Sequence, residues 1–132
     1  MFHVRHIDHV ALSVTNLERS VAWYRDVLGL ERRHQEVWGN RPAMLFAGDT
    51  GVALFPASST NLNPAPDSRE TIRMRHLAFR VDRKSFRQAQ AELRQQAIAF
   101  EFEDHQISHS IYLKDPDGYE IELTTYELDI TS

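Results

Sequence analysis

The sequence predicts an α+β fold of two βαβββ modules, paired into a barrel-like curved sheet around a cleft. Three observations carry that prediction. First, the chain repeats itself: Asp8-His9-Val10-Ala11-Leu12-Ser13-Val14 lines up with Arg75-His76-Leu77-Ala78-Phe79-Arg80-Val81 at an offset of 67 residues. In both copies His and Ala share one face of a strand, while aliphatic and aromatic residues share the other. Second, each copy is followed by a segment of helical spacing. Third, three strand-like runs follow each helix, so each half has the same order of elements.

The first helix is expected from Leu17 to Leu28. Asn16 can cap it, Leu17, Val21, Tyr24 and Leu28 recur on one face, and Gly29 ends it. The second is expected from Ser85 to Gln96, with Phe86, Ala89 and Leu93 as its apolar stripe. Strands follow at Glu31 to Val37, Ala43 to Ala47 and Val52 to Phe55, with a hairpin through Gly48-Asp49-Thr50-Gly51. In the second half they fall at Ala99 to Glu103, Ser110 to Lys114 and Tyr119 to Tyr126. Gly51 and Gly118 again stand 67 residues apart. Before the last strand, Asp115-Pro116-Asp117-Gly118 is a turn with a mechanism, since Pro presets one backbone angle and Gly tolerates a positive φ. The module boundaries are therefore about 4–56 and 73–127 within one domain of 1–132. Between them, 57–72 is rich in Pro, Asn and Ser and reads as a linker or mobile lid. Each module alone leaves one sheet face uncovered, which is why the two sheets should pair, within the chain or across a dimer.

At 132 residues the chain can bury roughly two-thirds of its unfolded surface without staples. It has no cysteine, which excludes disulfides, thiolate zinc sites, iron–sulfur clusters and cysteine nucleophiles. Any metal must be held by His, Asp or Glu. The formal charge of −4 is spread without basic or acidic blocks, so nothing points to nucleic acid or an anionic membrane. No apolar run approaches the roughly 20 residues of a membrane span, and the polar start is not a signal peptide, so a soluble cytoplasmic protein is the default expectation.

Seven histidines are many for this length; His3, His6, His34 and His109 read most simply as surface or turn residues. His9 and His76 differ, because the repeat places them at equivalent points on two first strands. On the last strand Glu120, Glu122 and Thr124 alternate with Ile121 and Leu123, so carboxylates share one face there. Carboxylates on a sheltered face need a reason, and a cation is one. His9, His76 and Glu122, with Glu120 as the rival carboxylate, compose the two-imidazole, one-carboxylate set that holds a divalent ion and leaves positions open, turning the cleft into a metal cleft.

Several stretches together resemble the vicinal-oxygen-chelate superfamily, which includes glyoxalase I, extradiol dioxygenases and the bleomycin- and fosfomycin-resistance proteins. They are Ile7-Asp8-His9-Val10-Ala11-Leu12, Ser20-Val21-Ala22-Trp23-Tyr24-Arg25-Asp26-Val27-Leu28-Gly29-Leu30, Arg75-His76-Leu77-Ala78-Phe79, and His109 through Leu123. The resemblance implies that His9, His76 and Glu122 are metal ligands. Glyoxalase I commonly adds a Glu on the last strand of the first unit, where this chain has Val52-Ala53-Leu54-Phe55 and no ligand. The stretch from Asp104 to Tyr112 is similar to that of catechol 2,3-dioxygenases, which implies His105 as acid–base and Tyr112 as the hydroxyl that orients the substrate.

The implied function is a metal-dependent enzyme whose small substrate chelates the ion through vicinal oxygens, with ring-cleaving oxygenation as the leading chemistry. A glyoxalase-type lyase or isomerase is the first alternative. The second is a metal-free, bleomycin-resistance-like protein that sequesters its ligand, with Trp23, Trp38, Phe46, Phe55 and Tyr126 as candidate wall residues. The ion expected is Fe(II) or Mn(II), with Zn(II), Ni(II) or Co(II) also compatible with the donor set. The partners expected are a small-molecule substrate and, by resemblance, a second copy in a homodimer.

Overall fold

The structure, a computed structural model, describes residues 1–57 and 72–128. The chain divides into two compact units, Met1–Pro64 and Ala65–Ser132. The expected linker or lid falls largely outside the described residues.

In the first unit β1 (His9–Val14) leads into α1 (Leu17–Asp26), then β2 (Glu31–Arg33), α2 (Gln35–Trp38), β3 (Ala43–Ala47) and β4 (Thr50–Pro56). Asn16 caps α1 as its side chain predicts, its Oδ1 accepting the Arg19 N–H at 3.0 Å. The sheet order is β1-β4-β3-β2, with β1 parallel to β4 and the other pairs antiparallel. It is open, and α1 covers one face by packing on β3 and β4. Leu12, Val14, Val21, Tyr24, Leu45, Val52 and Leu54 are buried in this unit. Burying each such aliphatic side chain contributes about 1.5–3 kcal/mol before the entropy cost of ordering it.

The second unit repeats the plan with β5 (Leu77–Arg80), α3 (Arg83–Gln95), β6 (Glu101–Asp104), β7 (His109–Lys114) and β8 (Glu120–Thr125), in the order β5-β8-β7-β6. Phe86 and Leu93 of α3 are buried, as are Ile111, Leu113, Ile121 and Leu123 of the sheet. Both units are thus the α+β, βαβββ modules that the repeat predicts.

Several expected boundaries shift by one or two residues, α1 ending at Asp26, β4 starting at Thr50 and β6 at Glu101, and two further differences have local reasons. The run expected to continue as a strand to Val37 stops at Arg33, because His34 adopts a left-handed conformation (φ 67°) and Gln35–Trp38 closes into a helical turn. The second helix starts before Ser85, because Asp82 caps it by accepting the Ser85 N–H at 2.7 Å.

The turn before β8 is pinned by one carboxylate. Asp115 is buried, and its Oδ1 accepts the N–H of Asp117 and of Tyr119, both at 2.9 Å. Gly118 takes the positive φ of 88° that the motif anticipates. Asp115→Ala strands two donors in a part-buried turn and should cost about 1–3 kcal/mol in urea unfolding. Asp115→Asn keeps Oδ1 and should cost less; equal losses in the two variants would show that the turn does not depend on this acceptor.

Candidate metal centre

In the second unit, register brings the polar residues to one face. Ala78 pairs with Glu122 and Arg80 with Thr124, while Tyr112 lies opposite Glu122 and Ser110 opposite Thr124. Directly opposed residues share a face, so Glu122, Thr124, Tyr112 and Ser110 stand together on the side away from Ile111, Ile121 and Leu123. His76 immediately precedes β5.

His76 Nε2 stands 3.0 Å from Glu122 Oε1, and its Nδ1 lies 4.0 Å from Glu120 Oε2. The Glu122 side chain is 9% exposed and that of Glu120 33%. Glu122 is therefore the carboxylate on the Nε2 side and the more sheltered of the two rivals. Its second oxygen, Oε2, accepts the Ser110 hydroxyl at 2.7 Å, which leaves Oε1 for His76. The spacing fits a shared ion: two donors about 2.1 Å from one metal and about 90° apart lie about 3.0 Å from each other.

His9 lies in the first unit on an exposed face of β1, its Nδ1 donating to Asp8 Oδ2 at 2.8 Å. That bond fixes Nδ1 as the protonated nitrogen, so Nε2 carries the lone pair of the neutral ring. His9 thus has a carboxylate within hydrogen-bond reach of its Nδ1, as outer carboxylates that orient an imidazole do, whereas Glu120 at 4.0 Å from His76 Nδ1 lies beyond that reach.

Gly51 sits opposite His9 in the β1–β4 ladder. A Cβ there would meet Met44 Cε at 3.0 Å, Phe46 Cε1 at 3.2 Å and His9 Cβ at 3.3 Å. Met44 can swing its terminal methyl away, but the Cβ of His9 moves only with the strand. Gly51→Ala should cost about 1–3 kcal/mol through overpacking and displace His9. Urea unfolding together with metal content checks both; an unchanged stability would show that the pocket has slack.

His105 and Tyr112 meet directly, His105 Nε2 lying 2.9 Å from the Tyr112 hydroxyl. The Tyr112 ring also stands edge-on to His76, with centroids 5.8 Å apart. Burial first, then the negative charges of Glu122 and Glu103, raises the Tyr112 pKa, so the phenol stays protonated and able to donate.

The structure therefore brings His76 to Glu122 and His105 to Tyr112 within the second unit, and places His9 beside Asp8 in the first. Among the described residues, no group of three or more His, Asp or Glu side chains stands together as a metal-holding set. Asp8, Glu103 and Ser110 are not singled out by the sequence, and Gly51 stands out there only as a hairpin and repeat glycine, not for its place beside His9. Asp8 had a signal, a carboxylate adjoining a candidate ligand; the places of the other three emerge only from strand register.

Among the candidate wall aromatics, Trp38 and Phe46 both stand edge-on to His34. Trp23 stands edge-on to the buried Tyr24 on α1, at 4.9 Å. Phe46 lies under the Arg33 guanidinium at 4.7 Å, Trp38 stands edge-on to His34 at 5.2 Å, and Tyr126 lies under Arg80 at 4.5 Å.

The family model of the Glyoxalase/Bleomycin resistance protein/Dioxygenase superfamily matches residues 6–123. The chain belongs to that superfamily. Among superfamily relatives, a catechol-2,3-dioxygenase of Bacillus subtilis is 33% identical over 119 residues, covering 89% of this chain and 40% of the relative. The chain thus spans two-fifths of that enzyme's length. A glutathione transferase FosA of Serratia marcescens is 30% identical over 89% of this chain and 78% of its own length. A metallothiol transferase FosB of Staphylococcus epidermidis is 31% identical over 90% of this chain and 80% of its own.

Among solved structures of the superfamily fold, a glyoxalase/dioxygenase from Nostoc punctiforme superposes with a TM-score of 0.79 at 25% identity, covering 95% of this chain and 92% of that one. A lactoylglutathione lyase from Agrobacterium tumefaciens, at 20% identity and a TM-score of 0.67, shares the fold. In register, Ala53 opposite Ala11 occupies the place in the first unit that Glu122 opposite Ala78 occupies in the second. The first unit accordingly brings no carboxylate of its own to that position.

Proposed function

We propose that this chain is a divalent-metal-dependent enzyme that opens an aromatic ring carrying adjacent hydroxyls. His9, His76 and Glu122 are the ligands, His105 is the acid–base and Tyr112 is the substrate-orienting donor. The observation that supports it most is the clustering on one sheet face of an imidazole–carboxylate pair at 3.0 Å with an imidazole–phenol pair at 2.9 Å. The chemistry a bound Fe(II) or Mn(II) would supply is Lewis-acid polarisation of two neighbouring substrate oxygens.

The protein's own groups account for the protons. Ring opening incorporates both atoms of O2 and needs no external reductant, but the substrate hydroxyl protons have to be moved. An imidazole is suited to taking and returning a proton near neutrality, and Tyr112, kept protonated, can donate to an oxygen that becomes negative. Further support comes from the similarity to the Bacillus subtilis dioxygenase.

A second reading, metal-assisted thiol transfer, draws support from the FosA and FosB relatives, whose own lengths this chain covers to 78% and 80%. Protein loaded with Fe(II) or Mn(II) should consume O2 with one of a panel of catechols and form a coloured ring-opened product. No oxygen uptake with any catechol, together with glutathione addition to fosfomycin, would replace ring opening by thiol transfer. If no divalent metal binds, the ligand-sequestering reading takes the place of both.

A further inference from the structure

The hairpin joining β6 to β7 holds one side chain in a fixed relation to the Tyr112 hydroxyl. His105 opens its turn, donating its N–H to the Ser108 carbonyl at 2.9 Å and accepting the Ile107 N–H at 2.9 Å. The next residue, Gln106, takes a left-handed φ of 75° and gives its N–H to Asp104 Oδ1 at 2.8 Å. With the backbone so constrained, the His105 ring folds back over the sheet to Tyr112.

Its Nε2 there faces two oxygens, the Tyr112 hydroxyl at 2.9 Å and Glu103 Oε2 at 3.4 Å. An ionised carboxylate has no hydrogen to give, so the nitrogen turned toward it is favoured as N–H. The Nε2–H tautomer and the imidazolium both meet that condition. An N–H at this position donates to the phenol oxygen, and the hydrogen of Tyr112 must then point elsewhere. Across the ladder, the residue opposite Tyr112 is Glu122.

We propose that Glu103 is a positioning residue, holding His105 Nε2 as a donor to Tyr112 so that the Tyr112 hydroxyl hydrogen is presented to the Glu122 side of the sheet. Without Glu103 the imidazole can accept from Tyr112 instead, which removes that hydrogen from the substrate. The kinetic consequence rests on the ring-opening reading; the hydrogen-bond direction does not.

The test uses the full chain labelled with 15N-histidine and freed of paramagnetic metal by chelation, with His105 assigned by the signal missing in His105→Gln. In the wild type the His105 Nε2–H should be visible and protected from exchange with water. Glu103→Ala should lose that protection, and Glu103→Gln, whose carbonyl oxygen still accepts, should restore most of it. The Glu103 and His105 side chains are 54% and 42% exposed, so the coupling is screened. With a turned-over catechol, kcat of Glu103→Ala should fall roughly two- to fivefold at near-constant KM. Metal content should stay at the wild-type level.

An unchanged His105 signal and exchange rate in Glu103→Ala would overturn the assignment. A changed signal in a protein that turns over no catechol would keep the assignment and remove ring opening.

Discussion

His76→Ala should lose more than about a hundredfold in affinity for a divalent ion while retaining its fold, because removal of an outer-shell partner alone typically costs 10–100-fold. The physical basis is local. His76 Nε2 is 3.0 Å from Glu122 Oε1, and the imidazole is 38% exposed, outside the core formed by Ile111, Leu113, Ile121 and Leu123. Truncating it therefore removes a donor and opens no cavity among those residues, so circular dichroism and the unfolding midpoint should move little. Turnover should disappear with the metal. Titration of Mn(II) into wild type and variant, followed by metal analysis of the desalted protein, reads the effect directly. Wild-type metal content in His76→Ala would take His76 out of the ligand set and with it the reading of the Glu122 pair as half of a metal centre.

Much of the fold was legible because it depends on local periodicity and caps. The alternation of Ile121 and Leu123 with Glu120, Glu122 and Thr124 gives β8 its two faces, and Asn16 gives α1 its start. Two of the boundaries that went astray depend on a single residue's choice. Nothing in the sequence forces His34 into the left-handed region, and Asp82 competes with later residues for the cap of α3. The site was legible only as residue types on strands. That Tyr112 faces Glu122, that Ser110 reaches Oε2 and that Gly51 lies under His9 all follow from register, and a slip of one residue would send each of them to the opposite face. The repeat also misleads here. An offset of 67 residues equates Gly51 with Gly118, yet Gly51 lies within a strand opposite His9, whereas Gly118 lies in a turn.

Ser110→Ala should lower metal affinity about 10–100-fold although it replaces none of the proposed ligands. Ser110 is fully buried, and its hydroxyl lies 2.7 Å from Glu122 Oε2 and 3.0 Å from Thr124 Oγ1. It has one hydrogen, and the shorter distance to a charged acceptor decides where that hydrogen goes. Thr124 can spend its own on the His109 carbonyl at 3.4 Å. The donated bond does two things for Glu122: it satisfies an oxygen that is sheltered from water, and it fixes the carboxylate rotation that turns Oε1 toward His76. Alanine removes both, so stability should fall by about 1–3 kcal/mol as well. Thr124→Val separates this from a general loss of hydroxyls on the same face, since it deletes the neighbour at 3.0 Å and leaves the donor to Glu122 in place. Affinity should drop in Ser110→Ala and stay within a few-fold of wild type in Thr124→Val. Equal losses in the two would show that the whole hydroxyl pair, and not the Ser110 bond, holds the carboxylate. No loss in either would show that Glu122 keeps its orientation through packing alone.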